Sequence, residues 1–131
     1  MREQIKDKGR LKHILNAIDI ILNNKSRFTF EQIENDPIVF YGFVKQIEII
    51  GEAVYMLTKE FRNSHPELDW QAIEGMRHVL VHGYYKIKPD RVWTTIQTDI
   101  PALRPFIVRY YRKSCITCQS GEKLMFFVIS E

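Results

Sequence analysis

Apolar residues recur at helical spacing over most of the chain. Leu11, Ile14, Leu15, Ile18, Ile21 and Leu22 follow an i, i+3, i+4, i+7 pattern, which predicts a helix over 7–23. Residues 24–35 read as a connection. Asp36-Pro37 marks the next start, with Asp as N-cap and Pro at the first helical position. The helix it opens runs to about residue 61 and turns Phe40, Phe43, Val44, Ile47, Ile50, Val54 and Leu57 inward. Gly51 lies inside it at a cost of about 1 kcal/mol against Ala, which marks a close approach by another helix. The pattern breaks over 63–68, around Pro66. Asp69 then caps a third helix over 70–81, and Gly83 stands where a helix commonly ends. Pro89 starts a fourth, carrying Val92, Trp93, Ile96 and Ile100 inward. Pro101 kinks or restarts it, and the periodicity resumes through Leu103, Phe106 and Ile107. Residues 114–121 read as loop, and 124–129 form a short apolar, strand-like run. The fold class expected is all-α: an antiparallel bundle of four to five helices over 1–112, with an irregular tail over 113–131.

Composition narrows the picture only slightly. A length of 131 residues suits one domain, and 45% hydrophobic with 27% charged residues is a soluble, globular balance. The net charge of +3 is compatible with a nucleic-acid partner without requiring one. The densest basic patch, Arg109, Arg112 and Lys113, reads as a solvated helix end and traces no binding path. No apolar run approaches the roughly 20 residues that span a bilayer. Residues 1–10 are charged and lack the apolar core of a secretion signal, so a cytoplasmic protein is expected. Cys115 and Cys118 form a lone CxxC. A zinc site would need two more ligands at matching spacing, so they read as two reduced thiols in a tail.

The chemistry concentrates in nine residues, Arg77-His78-Val79-Leu80-Val81-His82-Gly83-Tyr84-Tyr85. Arg can grip a phosphate bidentately, and His can move a proton near neutral pH. The residues also have plainer readings. His82 suits a helix C-terminus, where the dipole favours a cation. Arg77 can be half of a salt bridge, and Tyr84 and Tyr85 can be core aromatics with hydroxyls at the rim. His78 and His82, four apart, share a helix face as two metal ligands would, but position 79 is Val where HExxH carries its Glu, and no third ligand is evident. Arg77 and His82 are five apart, about 140° around an ideal helix. Either the helix loosens near Gly83, or two copies of the chain bring these groups into one cleft.

Arg77-x4-His82-x-Tyr84 resembles the RX4HXY motif of HEPN-domain toxins, specifically their HepT-like branch. The flanks are similar in the same order: Leu11-Lys12-His13-Ile14-Leu15, then Ile49-Ile50-Gly51-Glu52-Ala53, then the runs 65–70 and 73–77, then 92–101. The likeness covers about 7–111. His78 departs from it, because the family usually has Asn after the motif Arg. The resemblance implies a metal-independent ribonuclease without a cofactor, acting on RNA as a homodimer through Arg77 and His82. It also implies a partner, a small nucleotidyltransferase antitoxin of the MntA type, which transfers AMP from ATP to Tyr84. Supporting roles fall to His78, to Glu52 as a guide for Arg77, and to Tyr85 as a fallback acceptor. The alternative is a non-catalytic helical subunit that docks a nucleotidyltransferase and helps it hold substrate.

Overall fold

A computed structural model describes the backbone of residues 2–83 and 86–118 and the side chains of 6–83 and 86–114. The elements are α1 (Arg2–Asn24), α2 (Phe30–Asn35), α3 (Pro37–Met56), α4 (Lys59–Ser64), α5 (Trp70–His82), α6 (Pro89–Thr94) and α7 (Ile100–Cys118). Among the described residues there is no strand. Four long helices make the bundle: α1 packs on α3 and α7, and α3 packs on α5.

Side-chain pairings show that these neighbours run antiparallel. Asp7, early in α1, bonds Thr58 just past the end of α3. Asp19, late in α1, pairs with Arg104 near the start of α7 at 2.7 Å. Ile47 shares a groove with Leu80, while Ile50 shares another with Ile73. The stripes expected from periodicity are the core. Leu11, Ile14, Ile18, Ile21, Ile47, Ile50, Val54, Ile96, Ile100 and Ile107 belong to one buried core cluster. Each such side chain contributes about 1.5–3 kcal/mol of burial. Leu15, Leu22, Trp93 and Phe106 are half-buried at the edge of the core, and Trp93 packs edge-on against Phe30 at 5.7 Å.

The first helix begins at Arg2, earlier than the expected start near residue 7, and four further boundaries differ from expectation. The 24–35 connection contains α2, set by a capping box. The Thr29 hydroxyl accepts from the Gln32 N–H at 3.2 Å, and the Gln32 side chain accepts from the Thr29 N–H at 2.8 Å. Ile33 then anchors it in the core. The helix expected to reach residue 61 stops at Met56. Leu57 turns extended yet stays buried, and Thr58 caps α4 by accepting from the Phe61 N–H at 3.1 Å. The buried Asp7 carboxylate holds that break, accepting from the Thr58 N–H at 2.9 Å and its hydroxyl at 2.7 Å.

The disturbance expected at Pro101 falls just before it, as a π-helical turn over Thr95–Asp99 in which the Ile100 N–H reaches the Thr95 carbonyl. Pro101 cannot donate to the carbonyl four residues back and its ring crowds it, and widening the turn relieves both. Lastly, α7 continues through 114–118, expected as loop. Ser114 stays compatible with it by donating its hydroxyl to the Tyr110 carbonyl at 3.1 Å. The apolar run 124–129 lies outside the described residues. Among those described, no helix is long and apolar enough to cross a membrane.

Candidate active site on α5

The site is built on one close contact. A Cβ added at Gly51 would lie 2.6 Å from the Arg77 Cβ and 3.2 Å from its Cα. Only hydrogen fits there, so α3 lies directly on the α5 backbone. That contact sets the next α3 residue, Glu52, beside Arg77. The Arg77 Nε donates to Glu52 Oε2, and the guanidinium lies 4.8 Å from the centre of the Tyr55 ring. The Arg77 side chain is 25% exposed, held on one side and open on the other. Glu52 takes the Nε–H, so the forked terminal nitrogens have no acceptor among the described residues. Tyr55 escaped the sequence reading. Its signal was position, four residues after Gly51 and so on the same face of α3.

His82 ends α5. Asp69 caps the start of that helix, accepting from the Ala72 N–H at 3.0 Å. At the other end the Gly83 N–H reaches the Val79 carbonyl at 2.8 Å, an ordinary α-helical bond. Gly83 has φ −126°, so it ends the helix without the left-handed turn for which glycine is favoured. The helix therefore does not loosen before His82, and Arg77 and His82 diverge by about 140°.

His78 and His82 come together on the exposed side, with ring centres 4.7 Å apart and planes at 49°. Among the described residues no group of three or more His, Cys, Asp or Glu side chains forms a metal cluster. Val79 and Val81 flank the pair and are 57% and 38% exposed. Tyr84 and Tyr85 lie outside the described residues.

One protomer thus offers a cradled cation and an open imidazole pair on different sides of one helix, with apolar residues between them. The family model for ribonuclease HepT-like proteins matches residues 14–110. The chain belongs to this HepT-like ribonuclease family.

Three relatives illustrate the likeness. "Putative RNase TTE0752" of Caldanaerobacter subterraneus subsp. tengcongensis is 37% identical over 103 residues, 79% of this chain and 92% of that protein. "Probable ribonuclease HepT" of Thermococcus cleftensis is 32% identical over 97 residues, 74% of this chain and 88% of that one. "Putative RNase MJ1216" of Methanocaldococcus jannaschii is 32% identical over 97 residues, 74% and 80% of the two chains. No solved structure matches the chain.

Proposed function

We propose that the protein is a metal-independent endoribonuclease, the toxin of a toxin–antitoxin pair, which cuts RNA as a homodimer with Arg77 and His82 as catalytic residues. The observation that carries this reading is the unbroken α-helical bond at Gly83. With Arg77 and His82 about 140° apart, one protomer cannot close both on a single phosphate. A two-fold pairing can set Arg77 of one copy beside His82 of the other. The exposed Val81, which lies between Arg77 and His82 around the helix, supplies apolar surface for such a pairing.

RNA carries its own nucleophile, so the reaction needs no metal-bound water. One His82 takes the proton from the 2′-hydroxyl as its oxygen attacks the adjacent phosphorus. The bond to the 5′-oxygen breaks, and the same imidazole, now protonated, gives that oxygen a proton. Arg77 positions the phosphate and offsets the charge that builds on it. The products are a 2′,3′-cyclic phosphate and a free 5′-hydroxyl. Glu52 holds Arg77 in register, and His78, packed on His82, is placed to share the proton.

Control comes from an MntA-type nucleotidyltransferase. The Tyr84 phenol attacks the α-phosphorus of ATP, pyrophosphate leaves, and the phenolic proton passes to a base on the partner. The adduct puts bulk and negative charge two residues from His82, blocking the cleft and neutralising Arg77. Tyr85 is the fallback acceptor.

The test is complementation between dead variants. Wild type incubated with RNA and EDTA should yield cyclic-phosphate ends, and Arg77→Ala and His82→Ala should each be inert. Refolding the two variants together should restore activity, because the mixed dimer holds one intact pair. Inert mixed dimers would reject the shared site, and an inert wild type with unmodified Tyr84 would favour the docking subunit. For control, intact mass after incubation with the partner and ATP should rise by one AMP. A rise that survives Tyr84→Phe would reject that acceptor.

A further inference from the structure

A groove of about 810 Å³ runs between α5 and the start of α6, within the roughly 300–1,000 Å³ typical of ligand sites. Met76, Val79, Ile87 and Val92 give it an apolar lining, and Lys86, Lys88 and Arg91 bring three cations from six consecutive residues. Asp90 and Asp99 also line it. Lys88 and Arg91 are exposed.

Its place on α5 gives it meaning. Val79 is one turn before His82, about 60° away around the helix, whereas Arg77 is about 160° from Val79. The Lys86 N–H donates to the Gly83 carbonyl at 2.8 Å, which ties the basic segment to the residue after His82. The groove therefore opens on the His82 side and faces away from its own Arg77.

We propose that this groove is a substrate subsite that holds a nucleotide of the RNA strand flanking the cleaved linkage. The inference rests on the RNA-cleaving reading above and adds where the strand runs. Lys88 and Arg91 hold backbone phosphates, and the base lies on Met76, Val79 and Ile87. Asp90 and Asp99 repel phosphate and accept hydrogen bonds from hydroxyl or amino groups. The nucleotide thus seats with its backbone toward the cations and its ribose or base toward the acids. A polyanion with flat, apolar-faced units matches this mixture of cations and apolar floor, and single-stranded RNA is such a ligand. On this arrangement each protomer grips the strand on its own His82 flank and receives Arg77 from its partner.

The experiment uses the full chain with Lys88→Gln and Arg91→Gln combined. In a His82→Ala background, binding to a single-stranded oligoribonucleotide is titrated against salt. The double variant should bind about tenfold more weakly, with the slope of log K on log salt shallower by about 1.4, since each phosphate contact contributes about 0.7 on single strands. In the otherwise intact enzyme, KM should rise while kcat stays within about twofold, the signature of lost ground-state binding. If wild type cleaves RNA and the variant matches it in affinity, slope and KM, the groove is overturned and the ribonuclease reading stands. If wild type neither binds nor cleaves RNA, both fall. If RNA binding is unchanged but modification by the nucleotidyltransferase is lost, the groove is a protein-docking surface and the subsite is rejected.

Discussion

The two ends of α5 each meet histidine, and they treat it oppositely. At the N-terminal end His65 is built into structure. Its Nδ1 lies 2.8 Å from the Phe61 carbonyl, its ring stacks on Phe61 at 4.2 Å, and Tyr110 lies 4.3 Å away. Trp70 closes the cluster by donating its indole N–H to the His65 carbonyl at 2.8 Å. At the C-terminal end His78 and His82 face outward, against each other. At the first end the His65 Nδ1, the Trp70 indole N–H and the Tyr110 hydroxyl each have a hydrogen-bond partner within the chain, as burial favours. At the second end the imidazoles of His78 and His82 and the terminal nitrogens of Arg77 have no hydrogen-bond partner among the described residues. The same residue type is built into the packing at one end and open to solvent at the other, a difference composition cannot show.

The sharpest test of that contrast separates rate from stability. His82→Ala should lower RNA cleavage by about 10²–10⁴-fold with the melting temperature unchanged, because the ring is exposed. Single-turnover cleavage alongside thermal melting reads both, and a large loss of stability would break the comparison. Trp70→Ala should do the reverse. It should cost about 3–5 kcal/mol in urea unfolding, while molecules that remain folded keep their activity.

Gly51→Val sits between the two. Its side chain would meet the Arg77 Cβ and backbone, so overpacking should cost about 1–3 kcal/mol. It should also lower kcat by displacing the guanidinium; unchanged kcat would show that Arg77 does not depend on the contact. Glu52→Gln should be milder. Its side chain is 51% exposed, so stability should change by less than about 1 kcal/mol, and the effect should appear as a several-fold fall in kcat.

The subtlest effect lies in pH. Burial, reinforced by the hydrogen bond to Glu67, pushes the Tyr110 phenol up to about 12. The folded state favours the protonated phenol, so its contribution is complete below the ordinary tyrosine value near 10 and is lost as pH rises toward 12. Glu67 is held below the usual carboxylate range, chiefly by the Tyr110 hydroxyl. Its contribution is present above the ordinary value and fades as pH falls below it. Ultraviolet difference titration of wild type against Tyr110→Phe should show the Tyr110 phenol ionising above the ordinary tyrosine value, and Glu67→Gln should bring that ionisation earlier.

The bundle was legible because burial imposes a period. Ile14, Ile18 and Ile21 or Ile47, Ile50 and Val54 can be read as core from spacing alone. Boundaries set by a neighbour in sequence were also readable, as with Asp36 before Pro37 and Asp69 before Trp70. The capping box of Thr29 and Gln32 was equally local and was passed over. The break after Met56 was not readable, because the group that stabilises it, Asp7, is 51 residues away. At the site, the motif showed which residues to watch and the glycine hinted at a close contact. The Tyr55 face under Arg77 and the groove beside His82 needed the three-dimensional packing of α3, α5 and α6. The tyrosines of the motif lie outside what the structure describes, so their part rests on the resemblance.

The missing methyl at position 51 has a consequence for how this scaffold can be redesigned. With no side chain to act as a spacer, the separation of two helix axes is fixed by backbone atoms alone, and the guanidinium inherits its height from that separation. An engineer may repaint the outward face of α3 freely. Adding even one carbon at 51 changes the reach of residue 77, so a substitution meant only to stiffen a helix would also retune the nuclease.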